Sequence, residues 1–274
     1  LSYMNTAISS HTVRPGIRET LQLCKKNSIP VGIVSNAHAG QSHRAILAQE
    51  GLSEFFAVQV YSDEVGIRKP HPNMLHLAAD ALQVEIKDCW YVGDTIDRDV
   101  AAGRRAGIGA MIVTKTRHTD NPPFPVPHQP DHIFDTPEGL AELLRRARPL
   151  EQAERKDLRH EAESAPTVVT QRHGGDRPVL LVDHGGVIAE AGRTHEVLEL
   201  SAQELLKVAH RAGYDLTRAQ AIAALENGRA ANRVRKRELE THGQYVEVTA
   251  PTFWSEFVGA DLPSGLQTLF QVEA

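Results

Sequence analysis

Short apolar runs alternate with amphipathic stretches through residues 1–147. Ile29–Val34 has no period-2 alternation of apolar and polar residues, which is typical of a strand buried on both faces of a parallel sheet. The other predicted strands are Val58–Tyr61, Cys89–Val92, Ala110–Thr114 and His132–Phe134. The predicted helices are Gln41–Glu50, Pro72–Leu82, Asp97–Ala106 and Pro137–Arg146, with one more after Arg14. This order predicts an α/β fold, in which helices cover both faces of a parallel sheet.

The sequence changes in character between Ala147 and Arg177. This stretch is polar and acquires glycine and proline towards its end, so residues 148–176 are predicted to form a linker. A further apolar run, Pro178–Asp183, predicts one more strand. Helices are predicted after it at Leu198–Ala212, Arg218–Asn227 and Ala230–Thr241.

Composition limits the classes of function. The chain has 274 residues, of which 41% are hydrophobic and 24% charged, and its formal net charge is −5. The hydrophobic share suffices for a globular core, and no apolar run approaches the roughly 20 residues that span a bilayer. The acidic balance argues against a nucleic-acid partner. The two cysteines, Cys24 and Cys89, stand far apart and fit a reducing cytoplasm. Oligomeric state is not indicated by the sequence.

Polar residues stand where predicted strands end, which is where open parallel sheets bind ligands. Ser35 and Asp94 each come just after an apolar run, and Asp183 precedes a glycine pair. A carboxylate in that position could ligate Mg²⁺ or act as a nucleophile. A serine hydroxyl and an ammonium group, here Ser35 and Lys69, could hold a phosphoryl group.

Four segments around these residues resemble motifs of the haloacid dehalogenase superfamily of phosphatases and related hydrolases. VGIVSN contains Ser35, GIRKPHP contains Lys69, WYVGDTIDRDVAAGRRAG contains Asp94 and Asp99, and LLVDHGGVI contains Asp183. Each motif alone is weak, but three of them in order over Ile33–Gly107 are specific. The resemblance implies a three-layer, Rossmannoid parallel sheet with a partial helical cap.

The resemblance also implies a Mg²⁺-dependent hydrolase acting on a small phosphorylated metabolite. Asp183 would be the covalent nucleophile, and Ser35 and Lys69 would be catalytic groups that hold the transferring oxygens. Asn36 and Gly186 would help to bind the substrate. The metal would lie among Asp183, the Gly185 carbonyl, Asp94 and Asp99, with Asp99 orienting either the metal shell or Lys69.

The motifs stand in an unusual order. In the family the nucleophile motif comes first in the chain, whereas here it comes last. Residues 1–147 therefore resemble the back portion of the domain, and residues 177–274 resemble its front portion with the start of a helical cap. Two interpretations follow, a circular permutant or an excerpt of a tandem protein, and the initial Leu1 favours the excerpt.

A second departure concerns the chemistry. The family's phosphatases usually carry a second aspartate two positions after the nucleophile, and Gly185 stands there in this chain. That aspartate acts as the general acid and base, a role typically worth 10²–10⁴-fold in rate. The alternatives to a phosphatase are therefore a catalytically weak binding or regulatory module, or chemistry of the dehalogenase or phosphonatase type. His184 is adjacent, but neighbouring side chains on a strand point to opposite faces.

Overall fold

The computed structural model describes residues 11–119, 126–146, 179–191 and 194–266. Its main sheet has six parallel strands, in the spatial order β3-β2-β7-β4-β5-β6. These strands are β2 (Val31–Ser35), β3 (Val58–Tyr61), β4 (Cys89–Gly93), β5 (Ala110–Thr114), β6 (His132–Phe134) and β7 (Val179–Val182). The predicted α/β fold with a parallel sheet is confirmed. The predicted linker, residues 148–176, lies outside the described residues.

Strand β7 comes from the second half of the chain and lies in the middle of the sheet. It pairs in parallel with β2, where Val31 faces Leu180, and with β4, where Cys89 faces Val179. All of its residues are buried. A strand flanked on both sides and covered on both faces needs a continuous apolar run, which explains the sequence VLLV.

Helices cover both faces of the sheet, so the domain has three layers. They are α1 (Ile17–Lys26), α2 (Gly40–Gln49), α3 (Ser62–Val65), α4 (Asn73–Ala81), α5 (Ala101–Ala106) and α6 (Glu138–Arg146). A π-helical turn at Ile96–Val100 leads into α5, and short 3₁₀ turns occupy Ser53–Phe55 and Ile86–Asp88. One core lies between the sheet and α1, α2 and α6, and the other between the sheet and α4 and α5. Successive strand residues alternate between these cores.

A second, two-stranded antiparallel sheet accompanies the main sheet. Strand β1 (His11–Val13) pairs with β8 (Ala189–Ala191), with Thr12 opposite Glu190. The sequence patterns did not predict this small sheet, because its two strands lie far apart in the chain and no local pattern connects them. It brings the chain that precedes α1 against the chain that follows β7.

The remaining helices form a separate small bundle with its own apolar core. They are α7 (Thr194–Arg211), α8 (Arg218–Thr241) and α9 (Ala250–Thr252), which continues as a π-helical turn at Phe253–Val258 and a 3₁₀ turn at Gly259–Asp261. The prediction of two helices at Arg218–Asn227 and Ala230–Thr241 is wrong, because α8 runs through both. Gly228 is kept inside the helix because a Cβ there would lie 2.8 Å from Val258 Cγ2. Within the described ranges, no helix is both long and apolar enough to cross a membrane.

Candidate active site

The carboxyl ends of three neighbouring strands meet at one cavity of about 560 Å³. Ser35 is the last residue of β2, Asp94 follows β4, and Asp183 follows β7, whose backbone N–H at Asp183 donates to the Val92 carbonyl at 2.8 Å. The cavity is lined by Ser35, Asn36, Lys69, Asp94, Asp99, Asp183, Gly185 and Gly186. The structure therefore brings together every site residue that the sequence predicts.

Lys69 lies between two carboxylates at the floor of this cavity. Its ammonium Nζ is 2.7 Å from Asp183 Oδ2 and 2.7 Å from Asp99 Oδ1, and it donates to the Tyr91 hydroxyl at 2.8 Å. Burial alone would lower the pKa of Lys69, but Asp183 and Asp99 raise it above its ordinary value. The lysine therefore stays charged in a site from which water is largely excluded.

Asn36 fixes the backbone that carries this lysine. Its side-chain amide donates to the Lys69 carbonyl at 3.1 Å, and its side-chain oxygen accepts from the Lys69 N–H at 2.8 Å. These reciprocal bonds join the loop after β2 to the loop before α4. Asn36 can thus act through Lys69 as well as on a ligand.

Asp99 is the most heavily hydrogen-bonded carboxylate of the site. Besides Lys69, its oxygens accept from the Tyr91 hydroxyl at 2.8 Å, from the Asp94 N–H at 3.1 Å, and from the Thr95 N–H and hydroxyl at 2.9 and 2.6 Å. Burial acts to raise the pKa of Asp99, but Lys69, Arg98 and these hydrogen bonds hold it well below its usual range. Asp99 is thus a charged anchor for Lys69 and for the turn after β4.

Asp94 has the opposite electrostatic environment. Burial and the nearby charges of Asp99 and Asp183 raise its pKa to about 7. One of its oxygens accepts from the Thr116 hydroxyl at 2.8 Å. Burial and Asp99 also raise the pKa of Asp183, although Lys69 and the Ser35 hydroxyl oppose them.

The three carboxylates form a donor set that fits a hard divalent cation. Asp94, Asp99 and Asp183 each offer an oxygen within 4.8 Å of the others. Carboxylate oxygens are ligands that Mg²⁺ prefers, and a cation would relieve the repulsion that raises the pKa of Asp94.

The two glycines after Asp183 differ in their surroundings. Gly186 has φ +75°, and a Cβ there would collide with the Asp94 carboxylate, so only glycine lets the chain pass so close. Its carbonyl accepts from the Arg14 guanidinium. At Gly185, by contrast, no described atom lies within 4 Å of the position that a Cβ would take.

His184 points away from the cavity, as the alternation of strand side chains predicts. Its ring is buried and stacks on His43, with ring centroids 4.1 Å apart and an interplanar angle of 4°. Both ring nitrogens of His184 lack a hydrogen-bond partner among the described residues. Burial lowers its pKa well below the ordinary value, so the ring is neutral and packs as part of the core.

Several residues of the site were not found from the sequence. Tyr91 lies within an apolar run, which predicts a core residue and not a site residue. Thr116 and Arg117 line the cavity after β5, so the strand-end rule that singled out Asp94 could have identified them. Arg14 comes from the opposite end of the chain relative to Gly186, and no local pattern indicates their contact.

Part of the chain is similar to a known family of hydrolases. A sequence profile of the haloacid dehalogenase-like hydrolases matches residues 2–107. A glyceraldehyde 3-phosphate phosphatase of Methanopyrus kandleri is 27% identical over 145 residues, which are 53% of this chain and 62% of the relative. A phosphoglycolate phosphatase of Xylella fastidiosa is 37% identical over 112 residues, 40% of this chain and 47% of the relative. Residues 2–107 are thus similar to the haloacid dehalogenase-like hydrolases.

The match to these hydrolases is partial in length. The chain spans about half the length of the curated relatives that it matches. A crystal structure of a phosphatase of this superfamily from Thermococcus onnurineus aligns with 25% identity and a TM-score of 0.41, over 47% of this chain and 57% of that one.

Proposed function

We propose that this haloacid dehalogenase-like chain is a Mg²⁺-dependent phosphatase of small phosphorylated metabolites that acts through an aspartyl-phosphate. The observation that carries the proposal is the contact of Asp183 with Lys69 beside Asp94, which unites the nucleophile motif with the other three. The phosphatase relatives support the same reaction. A cytoplasmic location fits the free, buried thiols of Cys24 and Cys89.

The proposed chemistry begins at Asp183. Its carboxylate attacks phosphorus and forms an O–P bond, the bond between phosphorus and the substrate oxygen breaks, and the leaving alkoxide takes a proton from water. Water then hydrolyses the aspartyl-phosphate and releases inorganic phosphate. Lys69 and the Ser35 hydroxyl donate to phosphoryl oxygens, and stabilising the charge that develops there lowers the barrier. Asn36 holds the Lys69 backbone in place.

Asp94 and Asp183, with the Gly185 carbonyl, would hold the Mg²⁺. The cation would supply charge neutralisation for the phosphoryl oxygens and the nucleophile. We assign Asp99 mainly to the orientation of Lys69, because its oxygens already accept hydrogen bonds from Lys69, Tyr91, Thr95 and the Asp94 N–H.

The metal assignment can be tested by calorimetric titration with Mg²⁺. Asp94→Asn is expected to weaken Mg²⁺ binding at least tenfold, since it removes a directly ligating charge. Asp99→Asn is expected to weaken Mg²⁺ binding less but to reduce turnover strongly, because Lys69 loses one of its two carboxylate partners. Equal losses of Mg²⁺ affinity in both variants would instead make Asp99 a ligand.

The activity itself is tested by phosphate release with Mg²⁺ and a panel of esters. The panel includes the compounds named for the relatives, glyceraldehyde 3-phosphate and phosphoglycolate, together with pyrophosphate. Release is expected to disappear with EDTA and in Asp183→Asn, whereas Asp80→Asn, a change on the exposed face of α4, leaves it intact. Release that survives Asp183→Asn would contradict the proposal.

Gly185 supports a second candidate, a binding or regulatory module with little catalysis. Without a carboxylate at this position, the leaving alcohol has no built-in acid beside the nucleophile. A chain that binds Mg²⁺ but releases phosphate from no ester, and halide from no 2-haloacid, would favour this candidate. Halide release that needs Asp183 but not the metal would indicate dehalogenation.

A further inference from the structure

A turn of residues 116–119, just after β5, forms part of the cavity wall. Several hydrogen bonds fix this turn to Asp94. The Thr116 hydroxyl donates to the Asp94 carboxylate at 2.8 Å, and the Thr119 hydroxyl donates to the Asp94 carbonyl at 2.5 Å. The Thr119 hydroxyl also accepts from the Thr116 N–H at 2.9 Å. The side chains of this turn therefore hold a fixed position relative to the proposed metal site.

Arg117 lines the cavity from this turn without a carboxylate partner. Its Nε donates to Nε2 of His118 at 3.1 Å, and in the described ranges no carboxylate lies within ion-pair distance of its guanidinium. Arg14, which contacts the Gly186 carbonyl, is in contrast paired with Glu190 at 3.0 Å. Arg117 is also exposed, so its remaining N–H donors are open to a ligand.

Two neighbours accompany Arg117 on this wall. Arg98 lines the same cavity, but its charge is shared with Asp99 and with Asp97, whose Oδ2 lies 3.9 Å from Arg98 Nε. His118 is neutral when it accepts from Arg117, because Nε2 then carries no proton. Burial, Arg117 and Arg98 all lower the pKa of His118, which is consistent with that state.

The charges in the cavity are therefore divided. The carboxylates of Asp94, Asp99 and Asp183 lie at the buried floor with Lys69. The wall presents the exposed Arg117 guanidinium, which pairs with no carboxylate of the described residues, whereas Arg98 has Asp97 and Asp99 beside it. Glu190 also lines the cavity, but its carboxylate is engaged by Arg14.

We propose that Arg117 binds a carboxylate on the alcohol portion of the substrate and so selects phosphate esters of hydroxy acids. This assignment rests on the proposed phosphatase function and adds its substrate class. A guanidinium presents parallel N–H donors that match the two oxygens of a carboxylate. A phosphate ester of a neutral alcohol of the same size would leave the N–H donors of Arg117 hydrogen-bonded to water only.

The test compares ester pairs that differ at the carboxylate. The pairs are phosphoglycolate with ethyl phosphate, and 3-phosphoglycerate with glycerol 3-phosphate. In the wild-type chain, kcat/KM is expected to be about 10- to 100-fold higher for the carboxylate member of at least one pair, the range given by a hydrogen bond to a charged group. Arg117→Ala should abolish that preference by lowering kcat/KM for the carboxylate ester alone.

Two further variants make the result specific. Arg117→Lys keeps the charge but loses the paired donors, so it should recover only part of the preference. Arg146→Ala removes an exposed arginine of α6 that pairs with Glu142, and it should leave the preference unchanged. An Arg117→Ala variant that loses activity equally on both members of a pair would refute the assignment, as would a wild-type chain that shows no preference.

Failure of the proposed function gives a different result, since then no ester is hydrolysed by any variant. In that case calorimetric affinities of phosphoglycolate and ethyl phosphate, measured with Mg²⁺, decide the inference. Tighter binding of phosphoglycolate that depends on Arg117 supports it. Equal binding of the two esters overturns it.

Discussion

At the scale of single residues, the site is organised around one ammonium group. Lys69 lies 2.7 Å from both Asp183 and Asp99 and is fully enclosed. Breaking a buried pair by removing one partner leaves an uncompensated charge, so these residues are coupled in stability as well as in the proposed chemistry. Tyr91 adds a hydroxyl that donates to Asp99 and accepts from Lys69.

Gly185 is a single position at which the proposed activity can be increased. The Cβ site there is open and the residue lines the cavity, so Gly185→Asp can place a carboxylate beside the nucleophile without a clash. A general acid and base is worth about 10²–10⁴-fold, and an increase of kcat within that range is expected on phosphate esters. Steady-state phosphate release measures it.

The matched control for this change is Gly185→Asn. Asparagine has nearly the same shape as aspartate but cannot transfer the proton. An equal gain in both variants would show that the effect came from backbone rigidity or packing and not from acid–base catalysis.

His43 gives the chain a sensitivity to acid. Burial, helped by nearby His11, lowers its pKa from 6.5 to about 3. Unfolded chains take up this proton near pH 6.5, so stability is complete above that pH and is lost as the pH falls towards 3. The groups around the ring are His11, His38, Arg44, Tyr61 and His184.

Urea unfolding at a series of pH values tests this sensitivity. Between pH 7 and pH 4, the free energy of unfolding of wild type is expected to fall by about 1–3 kcal/mol more than that of His43→Phe. The control is the same change at exposed His195, which should keep the wild-type slope. Identical slopes in wild type and His43→Phe would count against the burial of a neutral His43 ring.

At the scale of elements, the helical bundle is attached to the site by an extended segment. This segment, Tyr245–Thr249, is called the strap, and α9 begins directly after it. The Arg68 N–H donates to the Tyr245 carbonyl at 2.8 Å, and the Ala250 N–H donates to the His38 carbonyl at 2.9 Å. The strap and the start of α9 therefore contact the residue before Lys69 and the loop that follows Ser35.

Glu247 is the charged centre of the strap. Its carboxylate is 2.8 Å from Lys236 of α8 and 3.4 Å from Arg68, and it accepts from the Ser62 hydroxyl at 2.8 Å. Burial would raise the pKa of Glu247, but Lys236, His38 and Arg68 lower it. The carboxylate thus joins α8 to both active-site loops.

We expect Glu247→Gln to destabilise the fold by about 3 kcal/mol, because Lys236 and Arg68 would then face each other without a shared anion. Turnover should fall as well, since Arg68 precedes Lys69. Urea unfolding and phosphate release measure the two effects. Glu238→Gln, at a carboxylate that is 61% exposed, should change stability by no more than about 0.5 kcal/mol.

At the scale of the whole molecule, the two halves of the chain share one sheet. Strand β7 separates β2 from β4, and Arg14 and the pairing of β1 with β8 add further contacts between the halves. We propose that residues 1–147 and 177–274 act as one domain, because neither half alone supplies a complete set of sheet neighbours.

A cut in the predicted linker tests the single-domain proposal. With a protease site inserted between residues 148 and 176, the two fragments are expected to elute together and to keep phosphate release, because β7 remains paired on both edges. In urea they should separate. Fragments that part in native buffer, or a cut that removes activity, would show that the halves are held only by the linker.

The fold class and the reactive residues could be predicted from the sequence. Local periodicity is set by whether a segment is buried on one face or two, so the strands and most helix positions could be predicted from short windows. Ser35, Asp94 and Asp183 could be chosen because strand ends in a parallel sheet are ligand sites, and Lys69 because it stands in the motif GIRKPHP. The chain order alone left two interpretations of Asp183 open.

Which of these residues lie in contact depends on the three-dimensional fold. The placement of Asp183 against Lys69 depends on the pairing of β7 between β2 and β4, and strand pairing joins segments that no local window compares. The same holds for Arg14 on the Gly186 carbonyl and for Glu247 between Arg68 and Lys236. The role proposed for Arg117 also depends on the three-dimensional fold. Whether an arginine that follows a strand is paired with a carboxylate cannot be predicted from the sequence.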